Sequence, residues 1–594
     1  MGIFKKISEF AKISKLAFGG YRWQIITLIV LGFLSGLLEG IGINALIPLF
    51  SFLTGKSSGE TDAISRIIEK LFLLSHINFE ARFLLIFIAL LFILKALVMI
   101  IFSYLSANVS LSYEKSTRDK LMTGFLRASW PYLLQQKLGY LATILMTNVR
   151  TSSWMLGYIS NTIMILASFI VYSIIAINIS WKLTLSTLLI GGFFFVFLRP
   201  VIKKIRSLSE TEENLNKKIS HHINENIVGM KTVKVMTAVD KVTEIGEGYF
   251  NQIKKLQIKT ALFSMITNSL IQPISVIFII TIFAFSYSEP DFNLAVLVAI
   301  IYLIRQMFNY FDQLQKNLMN INGTMPYLKI VLDQDRLARE SEEINNGKKD
   351  FKFINVLELK RVNFSYNSKV AALSDINMKI IKGETLGIIG PSGSGKTTLV
   401  DLILRLFEPG SGKIFLDDIN TADIDLLQWR RNIGYVSQDI FLMNGTIAEN
   451  IKFHDEKISD NEMKNAARMA NIYDFVESCP DKFNTVIGER GVMLSNGQRQ
   501  RIIIARVLVR QPQLLILDEA TSALDNESEV EIQKVLKNVK GKITVLIIAH
   551  RLSTITGADR LLVLRGGNII EEGIPDVLLK DRESYFYKVY NIIK

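Results

Sequence analysis

The sequence predicts an α-helical transmembrane bundle of six helices with long cytosolic extensions, followed by an α/β P-loop domain. Three observations carry this reading. Long apolar runs crowd the chain up to about Asn317, while the remainder has the pattern of an ordinary soluble α/β domain. The connections between the apolar runs alternate between short uncharged ones and long ones rich in Lys and Arg. A phosphate-cradle spacing, Gly390 to Thr397, lies between a strand pattern and a helix pattern.

The 594 residues are enough for several domains. Hydrophobic residues make up 49% and the mean hydropathy is +0.30, high for a soluble chain of this size. The net charge of +13 fits a nucleic-acid binder or a membrane protein with basic cytosolic loops. Six spans exclude the first, so no nucleic-acid partner is expected. A single cysteine, Cys479, precludes an intrachain disulfide and a cysteine metal site. No cleavable signal peptide is read at the start. Ile3, Phe4, Ile7, Phe10 and Ala11 share one face opposite lysines, the pattern of a basic amphipathic helix lying in the membrane surface.

Six stretches approach the roughly 20 apolar residues a spanning helix needs. They are Trp23–Phe52, Phe83–Asn108, Trp154–Ile179, Trp181–Val201, Leu262–Tyr287 and Leu294–Asn317. The connection at Asn178–Ser180 is very short, and Ser288, Glu289, Pro290 and Asp291 carry no cation, whereas 108–153 and 202–261 are long and basic. The positive-inside rule places both long loops and both termini in the cytosol. Helical patterns over Ser110–Leu126 and Ser209–Ile227 extend the neighbouring spans. Turns at the tips are expected at Trp130–Gln136 and near Glu225–Ala238. Asp62–Leu74 reads as a short amphipathic helix on the outer side, either on the membrane surface or packed on the span ends.

Three ionisable residues, Glu39, Lys95 and Arg305, fall inside spans away from their ends. Lys95 and Arg305 sit near the bilayer middle, roughly 16–18 Å deep at 1.5 Å per residue. Glu39 lies in the outer half of the first span. Buried charges are costly and mark a cavity or a partner. A cavity for anionic headgroups is one reading; an intramembrane ion pair or snorkelling is the other.

Residues 1–325 thus form a membrane domain with its amphipathic helix, 326–352 a charged linker, and 353–594 a nucleotide-binding domain. In the last, the strand Glu384–Gly390 leads into Gly390-Pro391-Ser392-Gly393-Ser394-Gly395-Lys396-Thr397-Thr398 and a helix. The glycines let backbone N–H groups face phosphate, and the helix N-terminus adds a positive field. Lys396 reaches the β- and γ-phosphates and Thr397 holds Mg²⁺. A second strand, Leu514–Leu517, ends in Asp518, for Mg²⁺, and Glu519, placed to polarise the attacking water. A third, Thr544–Ile548, delivers His550 to the crevice where such sheets bind ligand. Leu494-Ser495-Asn496-Gly497-Gln498 opens another helix. This second N–H-rich terminus is best explained as binding the γ-phosphate held by another protomer.

Taken together, these motifs resemble those of the ATP-binding cassette transporters. GPSGSGKTT is similar to the Walker A motif, LLILDE to Walker B with Glu519 as catalytic glutamate, and LSNGQRQR to the family signature. The resemblance implies that Gln438 in YVSQD is the Q-loop glutamine, touching γ-phosphate and metal. It implies that Ser522–Asp525 is the D-loop, His550 the switch histidine and Tyr366 the aromatic that stacks on adenine. The order of domains and the segment Thr485–Gly491 are similar to the exporter branch, in which the two intracellular turns are coupling helices that dock on the ATPase domains. Two positions depart from the pattern: Asn496 stands where glycine is usual, and Val486 where a glutamate often precedes the GERG segment. One set of motifs implies a pair of chains, and two complete sites favour a homodimer in the cell (inner) membrane. The expected activity is ATP- and Mg²⁺-dependent alternating access, an ATPase coupled to export or flipping.

Glu39 within LEGIGINALIP and the external helix are similar to features of bacterial lipid-linked oligosaccharide flippases. With Lys95 and Arg305 they point to an anionic lipid or glycolipid as substrate. A peptide or amphiphilic drug is the alternative. A non-transporting ATP-gated channel or regulator is a third reading, disfavoured by the intact Glu519 and His550.

Overall fold

The computed structural model describes residues 12–46, 48–49, 70, 72–74, 76, 78–286, 294–366, 371–519, 525–549 and 555–588. The amphipathic stretch Ile3–Ala11, most of Asp62–Leu74, the loop Ser288–Asp291, Ser522–Leu524 and His550 lie outside the described residues. The chain forms two compact units, 1–128 with 132–342, and 129–131 with 343–594. The division falls inside the stretch read as a linker.

The first unit is helical. Its main elements are α1 (Arg22–Asn44), α2 (Ala81–Arg127), α3 (Trp130–Leu134), α4 (Leu138–Thr143), α5 (Val149–Ile179), α6 (Trp181–Phe197), α7 (Arg199–Val228), α8 (Met230–Val235), α9 (Val239–Ser286) and α10 (Leu294–Glu340). Among the described residues, five helical stretches are long and apolar enough to cross a membrane. The sixth expected span is the start of α10. Helices α2 and α10 have 47 residues each and α9 has 48. At 1.5 Å per residue they reach about 70 Å, against a hydrocarbon core of about 30 Å. More than half of each therefore runs on beyond the apolar segment, as the helical patterns predict for α2 and α9, while the end of α10 is helix where a linker was expected. The α7 stretch shows why: its side chains turn strongly amphipathic after Pro200, which sits in the first turn where its missing N–H costs nothing. Short helices α3 and α8 fall at the two predicted tips.

A glycine stripe organises the packing of the bundle. Gly32, Gly36 and Gly40 form one stripe of α1 laid against α5. A Cβ on Gly32 or Gly36 would stand 3.0 Å from the Cα of Met164 or Ser168, and one on Gly40 would stand 2.7 Å from Ile175 Cδ1. With no hydrophobic drive between helices in lipid, such close backbone approach supplies the van der Waals attraction. On α2, by contrast, Leu85, Ile86, Leu90, Ile93, Leu97 and Ile100 are exposed, the composition of a face turned to lipid.

In the second unit, β1 (Val356–Phe364), β2 (Leu373–Ile381), β4 (Ser411–Leu416) and β5 (Ile419–Asn420) form an antiparallel sheet in the order β2-β1-β4-β5. A six-stranded sheet is ordered β10-β9-β3-β8-β7-β6. It comprises β3 (Thr385–Ile389), β6 (Ile433–Val436), β7 (Leu514–Asp518), β8 (Thr544–Ile548), β9 (Arg560–Arg565) and β10 (Asn568–Gly573). All its pairings are parallel except β9 with β10. Every residue of β3, β7 and β8 is buried, so these strands read as unbroken apolar runs rather than alternating ones. Helix α11 (Lys396–Ile403) follows β3, and α12 (Asn496–Leu508) precedes β7. Trp429, fully buried between the layers, donates its indole N–H to Ile403 O at 2.8 Å.

Candidate active site

The strand order brings scattered motifs to one edge. Because β3, β8, β7 and β6 are parallel neighbours, their carboxyl ends lie side by side. From β3 emerges the glycine-rich loop, from β7 Asp518 and Glu519, and beyond β6 the exposed Gln438. The end of β8 leads to Ala549, with His550 next and outside the described residues.

The loop is built for close approach to an anion. Gly393 and Gly395 have φ of 75° and 104°, open to glycine and strained for other residues. A Cβ on Gly395 would meet Ala372 O at 2.7 Å. Ser392, Gly393 and Thr397 are exposed on the open side of the loop. Lys396 is buried and donates to Gly390 O at 2.9 Å and Pro391 O at 3.0 Å. Burial holds its ammonium below the usual lysine range, opposed by the charges of Glu519 and Asp518. Ser394 Oγ is buried without a hydrogen-bond partner among the described residues. A cation bent back onto carbonyls and an orphaned hydroxyl are the features a phosphate would satisfy.

Around the loop, Tyr435 O–H donates to Asp518 Oδ2 at 3.3 Å, and burial together with Asp518 raises its phenol. Asp401, in α11, is pushed up to about 6 by burial and by the charge of Asp518. Glu519 has φ of 51°, a left-handed backbone that a non-glycine residue adopts at a cost of order 1–3 kcal/mol. Its N–H is fixed on Ile548 O at 2.9 Å. Such strain concentrates where a side chain must be aimed.

Tyr366 is 56% exposed, so its ring is available for stacking. It is oriented by Thr398 Oγ1, 3.0 Å from its hydroxyl, and by edge contacts to Phe364 and Phe407 at 5.0 and 5.3 Å. Thr398 is itself buried, and its contact is with Tyr366 rather than with the open side of the loop. Tyr435, Asp401 and Phe407 escaped the sequence reading. The only signal for Tyr435 was its place three residues before Gln438.

The second helix N-terminus is satisfied internally. Ser495 Oγ accepts from Gln498 N at 3.2 Å while Gln498 Oε1 accepts from Ser495 N at 2.9 Å, a reciprocal cap. Gly497 is required for packing, since a Cβ would lie 2.1 Å from Ser528 Oγ. Asn496 Oδ1 accepts from Arg499 Nη2 at 2.7 Å, so the residue that departs from the family pattern engages its own helix. Asp525 caps the following helix through Ser528 N at 3.3 Å.

In the helical unit the three ionisable residues separate. Lys95 Nζ is 2.9 Å from Glu39 Oε1, and Tyr310 O–H donates to Glu39 Oε2 at 3.0 Å. Glu39 and Lys95 are thus an intramembrane ion pair, the second of the two sequence readings. Arg305 stands apart, exposed on α10 and without an ion pair among the described residues. It belongs to a polar stripe with Asn309, Gln313, Lys316 and Asn320, at spacings of three or four residues.

Residues 25–311 match the family described as the ABC transporter transmembrane region, and residues 373–522 match the ABC transporter family. The chain is 35% identical to an ATP-dependent lipid A-core flippase of Pectobacterium atrosepticum, over 70% of this chain and 72% of that protein. It is 29% identical to the heterocyst differentiation ATP-binding protein HepA of a Nostoc species, over 98% of this chain and 94% of the relative. A bacterial Atm1-family ABC exporter with ATP bound shares the fold, with a TM-score of 0.79 at 22% identity, covering 96% of this chain and 98% of that one. With one membrane region and one cassette, this multi-pass membrane protein belongs to the ABC transporters as an exporter half-transporter, an ATP-binding protein that couples ATP hydrolysis to transport.

Proposed function

We propose that this half-transporter pairs with a second identical chain and flips an anionic lipid, or a lipid-linked oligosaccharide, across the inner membrane, its cassette lying in the cytosol. The observation that supports the substrate class is the polar stripe of α10 around Arg305. Exposed positions within the α2 span from Leu85 to Ile101 are apolar, as lipid demands, whereas on the α10 span Arg305, Asn309 and Gln313 expose guanidinium and amide groups that lipid would penalise, next to the Lys316–Asp312 ion pair. Such a face lines a wet cavity, and a guanidinium with no ion pair among the described residues suits phosphate or carboxylate. Lys95 is set aside, since Glu39 neutralises it. The similarity to lipid A-core flippases points the same way.

In each ATP site Lys396 and the loop N–H groups hold the β- and γ-phosphates, and Tyr366 stacks on the base. Thr397, Asp518 and Gln438 offer the oxygen ligands that Mg²⁺ prefers, and the ion supplies charge neutralisation at the phosphates. Glu519 accepts the proton of the attacking water and His550 contacts the γ-phosphate. Ser495, Gly497 and Gln498 of the partner close the site, exchanging their mutual cap for contacts to phosphate.

The test is ATPase activity and lipid flipping in liposomes of phosphatidylcholine with and without anionic lipids, polyprenyl-pyrophosphate glycans included. The reading expects anionic lipid to raise turnover, Arg305→Ala to remove that stimulation, and Glu519→Gln to abolish turnover. Stimulation by peptides or drugs alone would remove the lipid assignment and leave the exporter standing. Activity unchanged in Glu519→Gln would overturn the catalytic assignment.

A further inference from the structure

Between the extensions of α7 and α9 lies a groove of about 290 Å³. Lys218 of α7 and Lys255 and Lys259 of α9 line it, the latter two one helical turn apart. Thr211, Asn214 and Gln252 add hydrogen-bonding groups. No carboxylate lines it, and none of the three lysines makes an ion pair among the described residues. The carboxylates beside it are engaged elsewhere: Glu212 accepts from Gln257 at 3.0 Å and Glu210 pairs with Arg206 at 3.4 Å. On the same helix, further from the span, Lys241 is paired with Glu244 at 2.7 Å.

Three uncompensated ammonium groups around one groove repel one another, and an anion with several oxygens relieves that repulsion. The location selects the anion. The apolar span of α9 begins at Leu262, so Lys259 stands about 5 Å from its edge along the helix, at the level of lipid headgroups, with Lys255 about 10 Å out and Lys218, 17 residues past the end of the α7 span at Val201, further into the cytosol. Arg305, by contrast, lies within the apolar span of α10, so the groove is a separate site.

We propose that this groove binds the phosphate-bearing headgroup of an anionic lipid in the cytosolic leaflet. The inference rests on the lipid reading above for the class of ligand. The groove concentrates that lipid beside the extensions, while its acyl chains remain in the bilayer. No bond is made or broken there.

The experiment titrates full-length detergent-solubilised protein with phosphatidic acid and counts bound lipid by native mass spectrometry. Removing one lysine as Lys→Gln is expected to weaken binding roughly fivefold, as a surface cation does for an anionic headgroup. The triple variant Lys218→Gln, Lys255→Gln, Lys259→Gln should lose at least about tenfold, while the triple Lys→Arg variant binds as wild type. Phosphatidylcholine binding and basal ATPase should be unchanged in both, which shows that the fold survives. Equal phosphatidic acid binding by the wild type and the Gln triple overturns the proposal. So does lysine-dependent binding of inorganic phosphate without binding of the lipid. Lipid flipping by the same proteins separates the two readings. Loss of binding in the triple with no lipid moved by the wild type leaves the groove and removes the transport reading. Flipping by the wild type with unchanged binding in the triple does the reverse.

Discussion

Asp401 is a half-buried acid whose neighbour, Asp518, is also acidic. Its pKa of about 6 against an ordinary 3.8 means that folding disfavours its charge. The folded state binds the extra proton between those values, so the stability it allows is full below about 3.8 and is lost as pH rises through about 6. In nucleotide-free protein, Asp401→Asn should therefore raise the cassette's unfolding temperature at pH 8 and change it little at pH 4. The gain should be about 1 kcal/mol, partial solvent access having reduced the full linkage value. A gain independent of pH would show that Asp401 is not the titrating group. Tyr366 makes a second residue-scale case. Tyr366→Phe keeps the ring and loses only the Thr398 contact, so ATP affinity should fall by less than about threefold, whereas Tyr366→Ala should cost about tenfold. Equilibrium binding of a fluorescent ATP analogue would measure both, and equal losses would sink the stacking role. The P-loop residues were legible because their spacing encodes backbone conformation. Asp401 and Phe407 were not, because what matters about them is a neighbour brought in by the fold.

At the scale of elements, the glycine stripe of α1 and the Glu39–Lys95 pair hold the same helix by different means. Gly36→Leu forces a side chain into the α5 backbone, 3.0 Å from Ser168 Cα. It should cost 2 kcal/mol or more by the usual measure of overpacking, roughly, read as a lower unfolding temperature in detergent. Gly192→Leu, with nothing within 4 Å, is the matched control and should be near neutral. Glu39→Gln strands Lys95 in the bilayer and should destabilise by about 3 kcal/mol, while Glu39→Gln with Lys95→Met recovers most of that loss. A double variant no better than the single one would show that the pair does not couple. Sequence alone could place Glu39 and Lys95 in spans but not pair them, since pairing depends on how two helices rotate against each other. The end of α10 is a different kind of miss. Its charges suggested a linker, yet Asp333–Arg336 and Asp335–Arg339 pair at three- and four-residue spacing along one helix. That spacing was present in DQDRLARE and is a helix signal; composition outweighed periodicity in the reading.

For the whole molecule, the proposed composite sites predict complementation. Lys396→Ala disables the P-loop and Ser495→Arg the signature, and each alone should hydrolyse no ATP. Mixed before reconstitution, the two should recover about a quarter of wild-type turnover, because half the dimers are mixed and each contains one intact site. No recovery would show that loop and signature of separate chains do not meet. The fold class and the order of units were readable throughout, since solvent type leaves its mark on every residue. The groove between α7 and α9 was not, as its three lysines lie among many in a basic loop and converge only once both helices are wound.

The unbroken winding of α10 has a mechanical corollary. Between Arg305 and Glu340 the chain is one continuous helix, lacking only the N–H bond that Pro326 cannot make, about 50 Å long at 1.5 Å per residue. A lever of that length tilted by about 5° at its foot sweeps its far end through about 4–5 Å, so far as it moves as one body. A tilt too small to disturb the packing at one end is thus delivered as a displacement of atomic size at the guanidinium.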